Sequence, residues 1–415
     1  MSATRLLTVN EALAQILEFF APLPSERVPL LESLDLVLAE DVRAPQDIPP
    51  FTNSAMDGYA VQSADLAGAS ATQPRSLRVI GQIAAGDAAS LCVTPGTAVR
   101  IMTGAPLPDG ADAVVRFEVT EQSGDRVLVR AAAEIGENVR PAGEDVRAGE
   151  VAIASGTVIR PHVIGLLASL GCSEVVCHRR PRVAVLATGD ELVPLGEPLH
   201  PGQIRNSNEY TLAALVQEAG GIPVCLGIAR DNAAHLKAKL AEGLAQNVDL
   251  FLTSAGVSIG DYDIVKDVLA EEGVIHFWQV AIKPGKPLAF GLMRGVPLIG
   301  LPGNPVATAI AFEAFARPGI LTMLGRPRPY RVELPAILDE DVYNSGRRHY
   351  MRAWVRRVGD RFHVATRGSG VSTQGSGIQS SLVWANCLLI VPEDVTHLPA
   401  GSTVEVQLTV DALEA

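Results

Sequence analysis

The 415-residue chain offers no material for a disulfide framework. Cys92, Cys172, Cys177, Cys225 and Cys387 are odd in number, scattered and without a CxxC spacing, which points to a reduced, cytoplasmic compartment. No stretch reaches the roughly 18 consecutive apolar residues that a membrane-spanning helix requires, so no membrane segment is expected. Basic residues are in deficit: 34 Lys and Arg stand against 46 Asp and Glu, a net charge of −12. That balance disfavours a nucleic-acid binder with a basic face, and any anionic ligand has to be held locally. HExxH and Cys₂His₂ patterns are absent and the eight histidines are scattered, which argues against zinc hydrolysis. No solenoid-length repeat and no long low-complexity segment occurs.

What is present is ordinary globular composition, 47% apolar and 19% charged, in a chain too long for one core; two to four domains are expected. The opening MSATRLLTVNEALAQILEFF is interrupted by Glu11, Gln15 and Glu18 and has Thr8 and Glu11 spaced as a capping box. It reads as an amphipathic helix and not as a signal peptide. Residues 46–140 carry Gly, Pro and Thr around short valine-rich runs, the texture of a β-rich inserted domain. Residues 1–45 and 141–180 would then pack together as an N-terminal linking domain. From 181 to 327, apolar strands such as PRVAVLAT and VDLFLTS alternate with helical segments, the pattern of a parallel α/β sheet wrapped by helices. Its last helix is expected to begin at Asn304 and Pro305 as N-cap and N1. Residues 328–415 lack helical periodicity and read as an appended antiparallel barrel or sandwich.

Within 181–327 the unusual polar residues follow the strands: Thr188 to Glu191, Arg230 to Asn232, Ser254 to Asp263, Lys283 to Lys286, and Pro302 to Asn304. Parallel strands deliver such loops to one sheet edge, where ligands bind. The loop SAGVSIGD, including Ser254, Gly256 and Ser258, exposes backbone N–H groups at a helix start and suits a phosphate, although no GK[ST] makes it a Walker loop. A carboxylate there, Asp261, is either an N-cap or a ligand for Mg²⁺, with Glu191 and Asp190 as partners across the sheet. Lys283 and Lys286 in AIKPGKP form a proline-stiffened pair suited to an oxyanion. In PPFTNSAMDGYAV, Asp57 and Tyr59 are turn formers with no local explanation for their density, and Arg140 and Asp145 are either a surface ion pair or a second site edge. In GRRHYMRAWVRR, Arg348, Tyr350 and Arg352 share one strand face, expected either to meet an anion or to protect an edge.

The strings PPFTNSAMDGYAV, TGDELV, IRNSNEYTL, TSAGVSIGDYD, KPGKPLAFG, GLPGNPVA and QGSGIQSSLVWAN closely resemble the MoeA and gephyrin E-domain family of molybdopterin molybdotransferases, from the first domain to the last. The resemblance implies a multidomain α/β plus β architecture. Its parts are a three-layer α/β (MogA-like) molybdopterin-binding domain at 181–327, the inserted and linking domains described above, and a C-terminal β-barrel at 328–415. It implies insertion of molybdate into adenylylated molybdopterin with release of AMP, Mg²⁺ as cofactor, and a homodimer whose site is shared between subunits. Carried over by motif, Asp57, Glu191, Asp231, Asp261, Lys283 and Lys286 look like the active-site positions, with Glu191 and Asp261 on the metal. Thr103, Arg140, Asp145, Arg352, Ser376 and Ser380 look like secondary substrate contacts, beside Thr188, Ser254, Gly256, Ser258, Pro302 and Asn304 at the sheet edge. One departure from the family is Ala255 where GG is common, which matters if that residue takes a positive φ. A pyrophosphatase indifferent to molybdate, and a pterin-binding scaffold without turnover, stay open as alternatives, as does tungstate in place of molybdate.

Overall fold

Thr8 and Glu11 do form a capping box. The Thr8 amide donates to Glu11 Oε2 at 2.8 Å and the Glu11 amide to Thr8 Oγ1 at 3.2 Å, fixing the start of α1 (Val9–Leu17). The computed structural model describes residues 6–256, 264–367 and 374–409. Its contacts divide the chain into two units, Val28–Leu34 with Glu40–Val175, and the remainder. Helix α1 belongs to the larger unit, where Val9, Ala12 and Ile16 are buried against Phe312, Phe315 and Ile320. Residues 141–175, the stretch expected to return to this helix, belong to the other unit.

In the smaller unit, β1 (Gly58–Val61), β2 (Arg75–Ile83), β3 (Thr97–Ile101), β4 (Ala113–Arg116), β5 (Thr120–Ser123) and β6 (Arg126–Val129) form one sheet in the order β4-β1-β3-β2-β6-β5. Alternate residues bury on opposite faces: Tyr59, Val61 and Ala98 in one core, Ala60, Val99 and Ile101 in the other. Both faces are covered, which explains why runs such as TAVRI read as continuously apolar. Helix α2 (Pro161–Ser169) starts with proline at its first turn, where the missing N–H costs nothing.

In the larger unit, β7 (Arg182–Thr188), α3 (Ser207–Glu218), β8 (Ile222–Ala229), α4 (Ala233–Ala245), β9 (Leu250–Ser254), α5 (Ile264–Glu272), β10 (Gly273–Gln279), β11 (Ile282–Lys283), β12 (Pro287–Met293) and β13 (Val296–Leu301) follow in chain order. The sheet runs β8-β7-β9-β13-β12-β10. Val183, Val185, Leu250 and Ile299 pack against α1, α3 and the closing helix, while Ala184, Leu186, Phe251 and Leu298 pack against α4 and α5, so the domain has three layers. β8, β7, β9 and β13 pair parallel with one another, and β12 is the reversed strand of this sheet. β12 runs antiparallel to both β13 and β10, which corrects the expectation of a parallel sheet throughout. The cause is a tight connection: Arg294 at φ 48° and Gly295 at φ 89° form a two-residue turn of the kind that reverses a hairpin.

The closing helix is not uniform. α6 (Pro305–Ala311) continues through a π-helical turn, Phe312–Ala316, into α7 (Arg317–Met323). Glu313 sits in that turn and receives Arg331 through two bonds of 3.0 Å. By length and composition Pro305–Met323 could cross a bilayer, but 78% of it is buried inside the protein, as a core helix.

Beyond it, β14 (Glu333–Leu338), β15 (Arg348–Val358), β16 (Arg361–Ala365), α8 (Ser380–Trp384), β17 (Cys387–Val391) and β18 (Thr403–Leu408) follow. The strands close as β15-β16-β14-β18-β17 and back to β15 around Leu338, Ala353, Val355, Val364, Leu389 and Val406, a five-stranded barrel. β11 joins this barrel from the α/β segment, pairing parallel with β15 so that Ile282 lies opposite Arg348 and Lys283 opposite His349.

Candidate active site

Three parallel strands of the sheet end at Thr188, Ser254 and Leu301, and the loops leaving them wall a cavity of about 720 Å³. Its geometry is set by small residues. After β9, Ala255 and Gly256 take φ of 68° and 71°, turning the chain away from the strand while the Ala255 amide donates to the Leu301 carbonyl at 3.1 Å. A Cβ at Gly256 would lie 2.9 Å from Thr188 Oγ1 and 2.8 Å from Val265 Cγ2, so only glycine lets the loop fold onto Thr188. Ala255 thus holds the left-handed conformation that glycine would adopt more cheaply, at a cost of about 1–2 kcal/mol. Gly189, at φ 147°, leaves room for the Glu191 carboxylate, which would come within 2.5 Å of a Cβ there.

Of the residues expected at this edge, Thr188, Glu191, Ser254, Gly256, Lys283, Pro302, Asn304 and Ser376 line the cavity. Asn304 stands at the helix N-cap but makes no side-chain cap bond; the amide of Val306 is taken by the Ser376 carbonyl at 3.2 Å, so the barrel loop itself closes this helix start. Asp231 and Lys286 are not on the wall. Asp231 is tied to the Glu191 loop through Asp190, each aspartate accepting from the other's amide at 3.2–3.3 Å. Ser258 and Asp261 lie outside the described residues.

The barrel contributes differently from expectation. Arg348, Tyr350 and Arg352 do not form one anion-facing surface. Arg348 bonds Asn10 and Glu393, and Tyr350 is buried in the α/β core. Arg352 is fully buried; it donates to Ser381 Oγ at 3.1 Å and to the Gly375 carbonyl at 3.0 Å, while Gln374 brackets its backbone. Burial pulls its guanidinium down to about 10. Arg352 therefore holds the 374–381 loop, which brings Gln374 and Ser376 to the cavity; Ser380 is exposed at the start of α8. The barrel core takes Met351, Ala353 and Val355, so the opposite strand face sends Tyr350 out of the barrel into the α/β core, while His349, with the preceding Arg347, lines the cavity.

The remaining candidates lie in the smaller unit. Asp57 is exposed and accepts from both the amide and the hydroxyl of Thr103 at 2.7 Å. These bonds, the amide first, hold its carboxyl below the usual range. Arg140 and Asp145 line a shallow recess of about 440 Å³ with Asn53, which is strand-paired to Arg140.

Among the described residues no group of three or more His, Cys, Asp or Glu is arranged to hold a metal, and Glu191 is the one carboxylate on the wall of the main cavity. Among the described residues this single carboxylate beside a small-residue loop fits Mg²⁺, which is commonly bound by one or two carboxylates with substrate oxygens and water.

Three family models cover the chain in series: the MoeA N-terminal region (domain I and II) at residues 7–171, the probable molybdopterin binding domain at 184–322, and the MoeA C-terminal region (domain IV) at 335–409. Molybdopterin molybdenumtransferase 2 of Mycobacterium tuberculosis (strain ATCC 25618 / H37Rv) is 41% identical, over 91% of this chain and 94% of its own. The chain belongs to the MoeA family. Molybdopterin molybdenumtransferase of Haemophilus influenzae is 36% identical over 97% and 98% of the two chains. The crystal structure of the molybdopterin biosynthesis MoeA protein from Pyrococcus horikoshii OT3 superposes with a TM-score of 0.83 at 31% identity, covering 97% of this chain and 100% of that one.

Sequence reasoning about this MoeA-family chain missed Arg205, Asn206, Ser207, Asn208, Arg347, His349 and Gln374 as cavity-lining residues. Asn206 had a signal: it caps α3 by accepting from the Glu209 amide, and a cap at that sheet edge places α3's first turn at the cavity. Asn208 donates to the Gly303 carbonyl at 2.8 Å, a contact between segments far apart in sequence that leaves no local trace.

Proposed function

We propose that this chain is a molybdopterin molybdenumtransferase that inserts molybdenum from molybdate into adenylylated molybdopterin and releases AMP. The observation that carries it is the composition of one cavity wall: Glu191 and the Ser254–Gly256 loop at the carboxyl ends of parallel strands, with Lys283 supplied by β11. A phosphate fits the small-residue loop, a lysine balances its charge, and Glu191 remains for a cation. Mg²⁺, held by Glu191 and Asp261, would supply charge neutralisation at the pyrophosphate. Lys283 orients the oxyanion and stabilises charge on the phosphoryl oxygens. Water forms the new P–O bond at the pterin-side phosphorus and gives up a proton to solvent as the P–O bond to the AMP phosphate breaks, AMP leaving with the electron pair; the contribution of the protein is positioning and electrostatics.

The deciding experiment incubates the purified full-length chain with adenylylated molybdopterin, with and without molybdate, and follows AMP. Release that depends on molybdate and on Mg²⁺ supports the proposal. Equal release without molybdate identifies a pyrophosphatase, and binding without release a scaffold. Action as a cytoplasmic homodimer with a shared site is part of the same proposal. Mixing inactive Asp57→Ala and Lys283→Ala chains should then regenerate activity in the mixed dimer, and no recovery after subunit exchange would refute sharing.

A further inference from the structure

His349 is 4% exposed, lines the main cavity, and keeps its Nδ1 buried with no hydrogen-bond partner among the described residues. Strand pairing sets Lys283 directly beside it. Arg347 is anchored alongside by donating to the Ile282 carbonyl at 3.1 Å, and Arg352 follows on β15. Burial first, then Lys283, Arg352 and Arg347, push the imidazole down to about 4, so at pH 7 it is neutral and carries one proton. A proton on Nδ1 would be a buried donor without an acceptor, which costs about 1–3 kcal/mol, whereas a bare Nδ1 lone pair suits surroundings rich in positive charge. The proton therefore belongs on Nε2, which makes this cavity-lining residue a neutral N–H donor beside cations.

Packing a donor that adds no charge between cations is unfavourable for an empty protein and favourable for one that binds an anion. We propose that His349 is a substrate-contacting residue: from beside Lys283 and Arg347 its imidazole donates a hydrogen bond to an oxygen of the molybdate ion. The assignment rests on the functional reading given above, since it takes molybdate as the oxyanion of the reaction. Lysine and arginine attract any anion; an imidazole N–H fixed by burial adds direction at a set distance, and so favours the larger molybdate over the smaller phosphate by size as well as charge.

The test uses the full-length protein with ring-¹⁵N-labelled histidine, titrated with molybdate and, separately, with inorganic phosphate. The His349 signal is assigned by its loss in His349→Gln. Saturable displacement of that signal by molybdate, with little response to phosphate, is expected. By calorimetry, molybdate binding should weaken about 10-fold in His349→Leu and about 3-fold in His349→Gln, which retains a donor, while both melt close to the unsubstituted protein. A His349 signal that ignores saturating molybdate, or that answers phosphate more strongly, overturns the inference, as does a folded His349→Leu that binds molybdate normally. If His349→Leu does not fold, the labelled wild-type protein decides. Molybdate-dependent AMP release with a silent His349 defeats this inference alone, whereas AMP release indifferent to molybdate defeats the functional proposal.

Discussion

The sheet edge and the barrel strand β15 build the same cavity by different means. At the edge, the functional residues stand at strand ends or in the loops that follow them, and strand order brings those ends together. On β15, neighbouring residues go three ways: Arg348 to Asn10 and Glu393, His349 to the cavity, Tyr350 to the core. Convergence of loops is a property of topology and can be read from a sequence once the strand–helix rhythm is recognised. A residue's place on a barrel strand depends on closure and on the neighbour it is paired with, here β11, and nothing local records either.

That difference accounts for what was legible. Thr188, Glu191, Ser254, Lys283 and Pro302 follow apolar runs, and their shared location followed from parallel-strand geometry. His349 and Arg347 stood in an equally conspicuous basic run, yet period-two alternation selected Arg348, Tyr350 and Arg352 instead, because alternation identifies two faces without saying which of them meets the cavity. Asp57 and Thr103 show the same limit in the smaller unit. Their double hydrogen bond joins positions 46 residues apart, so the aspartate was visible as a turn former but its partner was known only by family resemblance. The antiparallel β12 was missed for a local reason: Arg294-Gly295 reverses the chain in two residues, and LAFGLM was passed over between flanking apolar runs.

Lys283 belongs to both regions, and its loss should break the comparison most severely. Lys283→Ala is expected to lower molybdate-dependent AMP release about 10²–10³-fold, the usual consequence of deleting one donor to a developing oxyanion. Its urea midpoint should barely move, since the ammonium is partly exposed and makes only a 3.5 Å contact with Ser345 Oγ. Single-turnover kinetics and urea titration on the same preparation check both halves.

Acid should separate the regions next. His349 titrates at about 4 when folded against an ordinary 6.5, so above pH 6.5 it is neutral in both states and costs nothing. As pH falls from 6.5 towards 4, the unfolded chain takes up a proton that the folded protein refuses, and stability is lost progressively, to about 3 kcal/mol at the lower limit. In His349→Gln that loss disappears. Urea midpoints measured across this window should therefore fall less steeply in the variant, and parallel curves would disprove the titration.

Arg352 tests whether the barrel acts through positioning. Arg352→Ala removes the bonds to Ser381 and Gly375 and should cost about 2 kcal/mol of stability. With the 374–381 loop loosened, Ser376 and Gln374 leave the cavity wall, so turnover falls even at saturating adenylylated molybdopterin. Unchanged activity in a folded Arg352→Ala would mean that this loop does not matter to the site.

The smallest effect tests the sheet edge alone. Ala255 holds φ 68°, where Ala is strained by about 1–2 kcal/mol; replacing it with glycine relieves that strain but gives the unfolded chain about 0.4–1 kcal/mol of extra freedom. Ala255→Gly should accordingly stabilise by between about 0 and about 1.6 kcal/mol. A second substitution makes the difference measurable. A Cβ at Gly303 would lie 3.0 Å from the Ala255 Cβ, tighter than ordinary contact, so Gly303→Ala should be costlier in the unsubstituted chain than in the Ala255→Gly background. The double-mutant cycle isolates that contact from the backbone terms common to both backgrounds. A coupling of about 0.5 kcal/mol would show that a methyl added at position 303 presses against the Ala255 methyl across neighbouring strand ends. Strict additivity would show that the loop yields to the extra methyl.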